Sequence, residues 1–213
     1  MDQELTPISY LALGDSITEG IGAISPEHNF VTQYFRQLKC SDQCQLRNWG
    51  ISGMRTKELL DLIHNPGLTR VFPRVTHISI SIGGCDFIEM YESGPVTHPR
   101  VAITIKKVLN HSKEILRSIR QKSPQAKIQT LGFYMPLPAY DYEGKGASRI
   151  VQLTNYYYTN ICRKYQVELV NPFKEFYQRK DFFSDEVHPN QEGYNRLAQL
   201  FIQTISSSPL KSF

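Results

Sequence analysis

The sequence predicts an α/β fold: a three-layer α/β/α sandwich on a flavodoxin-like, five-stranded parallel sheet. Short apolar runs alternate along the chain with longer segments whose apolar residues recur at helical spacing. Parallel strands need long crossovers, and helices provide them while covering both sheet faces. Right-handed connections then give the doubly wound order. The 213 residues, 40% hydrophobic and 21% charged, suit one domain with a substantial core. No repeat, low-complexity segment or linker divides them, and Ser206-Ser207-Ser208 reads as a frayed tail.

The first strand is read at 8–13, ended by the turn Gly14-Asp15-Ser16. Phe30, Val31, Tyr34, Phe35 and Leu38 then lie on one face of a helix. A strand at 45–49, a helix at 56–63 and a β-branched strand at 75–82 follow. A long helix covers 101–120, a fourth strand 126–133, a helix 148–165 and a fifth strand 167–170. A helix after His188 closes the chain, with Asn190 as its N-cap and Pro189 fixing its entry.

Composition excludes several classes. The net charge of +4 comes from Lys and Arg spread along the chain, not gathered in the stripe or arm of a nucleic-acid binder. The solvated-face reading of this charge is preferred over attraction to anionic headgroups, which leaves peripheral lipid contact open. No run of about 18 apolar residues spans a membrane, and Asp2 and Glu4 replace the basic start of an export signal. A soluble, cytoplasmic protein is expected, with Cys40, Cys44, Cys85 and Cys162 as free thiols. Cys40 and Cys44 lack a second ligand pair, so no metal is expected.

Chemistry concentrates at two places. Ser16 follows the first strand, at the carboxyl edge where α/β ligand sites collect, although an isolated Asp-Ser pair is more often a turn or cap. Asp185 and His188, three apart on a turn, can touch, so that the carboxylate fixes the imidazole tautomer and the other ring nitrogen faces a serine. A lone pair of this spacing is usually a surface turn. Together the two loops make a Ser16-His188-Asp185 triad.

These residues resemble the SGNH, or GDSL-type, lipases and acylhydrolases. Gly14-Asp15-Ser16-Ile17 is similar to the first block of that family, Asn48 to Gly53 to the second, Gly83-Gly84-Cys85-Asp86 to the third, and Asp185-x-x-His188 to the fifth. The blocks fall in family order across nearly the whole chain. The resemblance implies the SGNH hydrolase fold and cleavage of esters or thioesters with no metal or organic cofactor. Among members, the chain resembles bacterial lipase/acylhydrolases of the spore-germination kind, which would imply association with spores. An acyltransferase or carbohydrate deacetylase on the same triad, or a catalytically weak binding protein, stays open.

By the family pattern, the oxyanion would be held by the backbone of Ser16, the backbone of Gly53 and an Asn side chain. Cys85 stands at the Asn position, and a thiol is a weak donor. Losing one oxyanion donor typically costs about 10²–10³ in turnover. Cys85 is read first as a small core thiol, and a nucleophilic role is disfavoured because Ser16 occupies that place. Gly50 and Gly53 have turn formation as their alternative reading. Asp15 and Asp86 are read as bracing acids. Residues 133–140, and Phe87, Ile88, Met90 and Tyr91, are candidates for an acyl-pocket wall, with loop packing as the alternative. Tyr156-Tyr157-Tyr158 is read as a helix half in the core in preference to a lipid contact.

Overall fold

The computed structural model describes residues 6–206. The expectations for Asp2, Glu4 and the Ser207-Ser208 part of the tail lie outside the described residues. Five parallel strands form one sheet: β1 Ser9–Gly14, β2 Gln45–Gly50, β3 His77–Ser81, β4 Lys127–Leu131 and β5 Glu168–Val170, in the order β2-β1-β3-β4-β5. This is the flavodoxin-like order the alternation predicts. The helices are α1 Ser16–Glu19, α2 Phe30–Leu38, α3 Thr56–Leu62, α4 Pro66–Thr69, α5 Gly84–Glu92, α6 His98–Lys122, α7 Ala147–Lys164, α8 Phe173–Phe176 and α9 Gln191–Ser206.

The strand residues explain the layering. Tyr10, Leu11, Ala12 and Leu13 in β1 are all fully buried, as a central parallel strand covered on both faces must be. Their alternation sends Leu11 and Leu13, with Ile78 and Ile80 of β3, into one core with Leu59 of α3, Ile115 and Leu116 of α6 and Tyr158 of α7. Tyr10 and Ala12 face the opposite core, made by Phe30, Val31 and Tyr34 of α2 and Tyr194, Leu197 and Phe201 of α9. Full burial of an apolar side chain of this size contributes about 1.5–3 kcal/mol. Polar strand residues on that second face are paired: the Tyr10 hydroxyl lies 2.5 Å from Ser79 Oγ, and the Tyr34 hydroxyl donates to Gln129 at 2.5 Å.

One element goes beyond the expectation. The segment after Gly83 is the helix α5, where the sequence gives only a glycine turn and a run of apolar residues. Glycine is a poor helix former, so propensity hides this element. Its first turn is held by tertiary bonds: the buried Asp86 carboxylate accepts the Thr56 N–H at 2.9 Å and its hydroxyl at 3.0 Å, and Lys107 of α6 approaches at 3.3 Å. The tyrosine triplet divides as expected of a helix half in the core. Tyr158 is fully buried and its hydroxyl lies 2.8 Å from Thr130 Oγ1, whereas Tyr156 and Tyr157 point outward, 61% and 49% exposed.

Candidate active site

Ser16 is held at the carboxyl end of β1 by its neighbours. Asp15 caps α1: its Oδ1 accepts the Ile17 N–H at 3.1 Å and the Ser81 hydroxyl at 2.8 Å, tying the start of α1 to β3. Thr18 closes the same network, 2.6 Å from Ser81 Oγ. Asp15 therefore braces the turn, as read from the sequence. Ser16 is the first residue of α1, so its N–H has no intrahelical acceptor. Behind it, Asn48 of β2 donates to the Thr18 carbonyl at 2.8 Å and accepts the Gly50 N–H at 2.9 Å.

The loop before α9 is fixed residue by residue. Phe183 and Pro189 form an antiparallel bridge, and the Ser184 N–H donates to the His188 carbonyl at 2.9 Å. The Tyr134 hydroxyl donates to the Val187 carbonyl at 2.7 Å, and the Leu137 N–H to that of Glu186 at 2.8 Å. Asn190 accepts the Gly193 N–H at 3.1 Å, the cap the sequence predicts. Tyr134, a candidate for an acyl-pocket wall or for loop packing, anchors the histidine loop. Its aromatic neighbourhood in the sequence gives no sign of that.

These two loops bring the predicted residues together. His188 Nε2 lies 2.9 Å from Ser16 Oγ, and His188 Nδ1 lies 2.7 Å from Asp185 Oδ2. The other Asp185 oxygen accepts the N–H groups of Val187 at 2.8 Å and His188 at 2.7 Å. Partial burial pulls the Asp185 pKa up, but the His188 N–H, the imidazole and the Val187 N–H outweigh it and hold the carboxyl below its usual range. Such a carboxylate stays ionised and fixes the ring. Asp15 behaves oppositely: burial raises its pKa to about 6 against the bonds from Ser81 and Ile17.

Gly53 and Cys85 are the other two predicted residues. Gly53 adopts a left-handed φ of +81°, with open space where a side chain would start. Cys85 lies half-buried in the first turn of α5. Burial, with the Asp15 and Asp86 carboxylates nearby, pushes its thiol up to about 12. A shift in this direction favours the neutral thiol.

Beside these groups is a cleft of about 630 Å³. Its walls include Asp15 and Ile17 on either side of Ser16, and Val187 just before His188. Phe87, Ile88, Met90 and Tyr91 from α5 and Phe133, Tyr134, Pro136, Pro138 and Ala139 after β4 line it, so both predicted wall segments reach one space. The sequence did not point to Val101, Ile150 and Val151, which α6 and α7 add to it.

A family model described as GDSL-like lipase/acylhydrolase matches residues 12–196. The chain belongs to this family. As a GDSL-like protein it is an enzyme of the serine esterase or lipase class. It is 27% identical over 202 residues to the spore germination lipase LipC of Bacillus licheniformis, covering 90% of this chain and 93% of that one. Solved structures share the fold. The lipase Lip_vut3 from a goat rumen metagenome superposes with a TM-score of 0.79 at 22% identity, covering 92% of this chain and 97% of that one. Phospholipase A1 from Streptomyces albidoflavus NA297 does so with a TM-score of 0.72 at 16% identity, covering 93% of this chain and all of that one. Among the described residues, no helix is long and apolar enough to cross a membrane.

Proposed function

We propose that this GDSL-like enzyme hydrolyses lipid carboxylic esters, with Ser16 as nucleophile, His188 as general base and acid, and Asp185 orienting the imidazole. The observation that carries the reading is the unbroken line of hydrogen bonds from Asp185 through His188 to Ser16. Ser16 Oγ attacks the ester carbonyl as His188 Nε2 takes its proton, and the imidazolium is stabilised by Asp185. The N–H groups of Ser16 and Gly53 receive the developing oxyanion, with the Cys85 thiol a weak third donor. His188 then protonates the leaving alcohol, and water releases the acid by the same route. The apolar walls of the cleft favour an acyl chain over a carbohydrate, which would ask for convergent polar groups. Phospholipids belong among the esters to test, because one protein of the same fold is a phospholipase A1.

The test combines a fluorophosphonate probe with an ester panel of graded chain length that includes phospholipids. The wild type should label stoichiometrically and prefer longer acyl chains. Ser16→Ala and His188→Ala should each lose roughly 10⁶ in turnover and Asp185→Asn roughly 10⁴, with folding intact. Full activity in pure His188→Ala defeats the triad, and no labelling of the wild type returns the reading to a binding protein.

A further inference from the structure

The outer face of α6 and α7 combines two properties that rarely coincide on a surface with no ligand. The first is exposed apolar area. Ile103 on α6 and Leu153, Tyr156 and Tyr157 on α7 are 67%, 53%, 61% and 49% exposed. Beside them a shallow groove lies between the helices, floored by Val101, Ala102 and Ile105 on one side and Ile150, Leu153 and Tyr157 on the other. Large side chains of this kind are normally scattered singly; gathered on one face they mark an interaction surface.

The second property is charge. Helices α6 and α7 together carry ten Lys and Arg against one acid, Glu114, whereas all other residues carry fourteen against nineteen. The net charge of +4 therefore conceals a strongly basic helix pair on a slightly acidic remainder. Lys106, Lys113, Arg163 and Lys164 are exposed and make no ion pair with the described residues. They extend along the same helices as the apolar residues, Lys106 one turn from Ile103 and Lys164 two turns from Tyr157.

The groove is also continuous with the proposed acyl cleft: His98, Val101, Ile150 and Thr154 line both. We infer that the α6–α7 face docks the enzyme on an anionic phospholipid surface, with the groove leading an acyl chain from the lipid layer toward the cleft beside Ser16. Tyrosines and isoleucine or leucine side chains enter the headgroup boundary while flanking Lys and Arg meet lipid phosphates. A nucleic acid would satisfy the charge but not Ile103 and Leu153, so a lipid surface fits both observations. The inference rests on the lipid-ester reading of the site, but its binding step does not require catalysis.

Vesicle flotation on the full chain carrying Ser16→Ala tests it without hydrolysis. Vesicles of phosphatidylcholine mixed with phosphatidylglycerol should retain the protein, and pure phosphatidylcholine should bind about tenfold more weakly. Ile103→Ser with Tyr156→Ser, and separately Lys106→Gln with Lys113→Gln and Lys164→Gln, should each weaken binding to the mixed vesicles about tenfold. Only the lysine variant should lose sensitivity to salt. With Ser16 restored, both variants should hydrolyse a soluble short-chain ester like the wild type. Equal binding of both variants and the parent overturns the inference. So does duplex DNA bound as tightly as the vesicles, or a dimer in solution that the same substitutions dissociate. Absence of soluble-ester hydrolysis by the wild type would instead sink the catalytic reading and leave the docking result standing.

Discussion

Cys85 stands where the sequence resemblance implies an Asn, and its surroundings give that difference a physical content. It stands half-buried in the first turn of α5, and Gly53 supplies one of the two backbone donors proposed for the oxyanion. A thiol returns little to an incoming oxyanion as a donor. Cys85→Asn places a primary amide in the same first turn of α5. We expect turnover to rise about tenfold, short of the full value of an oxyanion donor because the packing has adapted to a thiol. The Michaelis constant should change less, since such a donor acts mainly in the transition state. Cys85→Ala should stay within a few-fold of the wild type. Steady-state kinetics on one soluble ester decides the matter: a folded Cys85→Asn enzyme with no gain in turnover removes Cys85 from the oxyanion site.

At the scale of elements, the position of Ser16 depends on how closely β2 approaches α1. A side chain built at Gly50 would come within 2.1 Å of the Glu19 backbone nitrogen and 2.6 Å of the Glu19 Cα. Backbone cannot step aside as a flexible side chain can, so Gly50 is required for close approach and not merely for a turn. Gly50→Ala should displace α1, cost about 1–3 kcal/mol by overpacking, and lower turnover along with stability. Urea unfolding and ester kinetics on one preparation check both, and unaltered values in each would show that β2 does not set the position of Ser16. The same contact marks the limit of what the sequence discloses. Asp185 and His188 are three residues apart, so their pairing is a local property, and the placement of Ser16 follows from the end of an apolar run. The bonds of Asp15 to Ser81, of Asn48 to Thr18 and of Tyr134 to Val187 join distant segments of chain. No local spacing encodes them. Helix α5 is hidden for a related reason, because its glycine-led first turn is stabilised by Thr56 and Lys107 from other helices.

Across the whole molecule, two carboxylates near the proposed triad pull stability in opposite directions with pH. Asp185 is held below its usual range by the bonds it accepts, so its share is present near neutrality and lost on acidification. Asp15 is buried, 4% exposed, and its pKa is raised from 3.8 to about 6. The folded state then binds the Asp15 proton more tightly than the unfolded chain does. Its contribution is complete below about pH 4, falls as pH rises through about 6, and stays lost above that. Asp15→Asn retains an oxygen to accept from Ile17 and Ser81 and is as good a helix cap, so it removes the charge and little else. Relative to wild type, Asp15→Asn should be more stable at pH 8 by up to about 3 kcal/mol, the value of a two-unit shift. The difference should shrink through pH 6 and vanish near pH 4. Taking the difference between the two proteins cancels the opposing term from Asp185, which both retain. Urea midpoints measured from pH 4 to 8 would show the converging pair of curves, and a gap that does not change with pH would mean that the buried charge of Asp15 does not weigh on the fold.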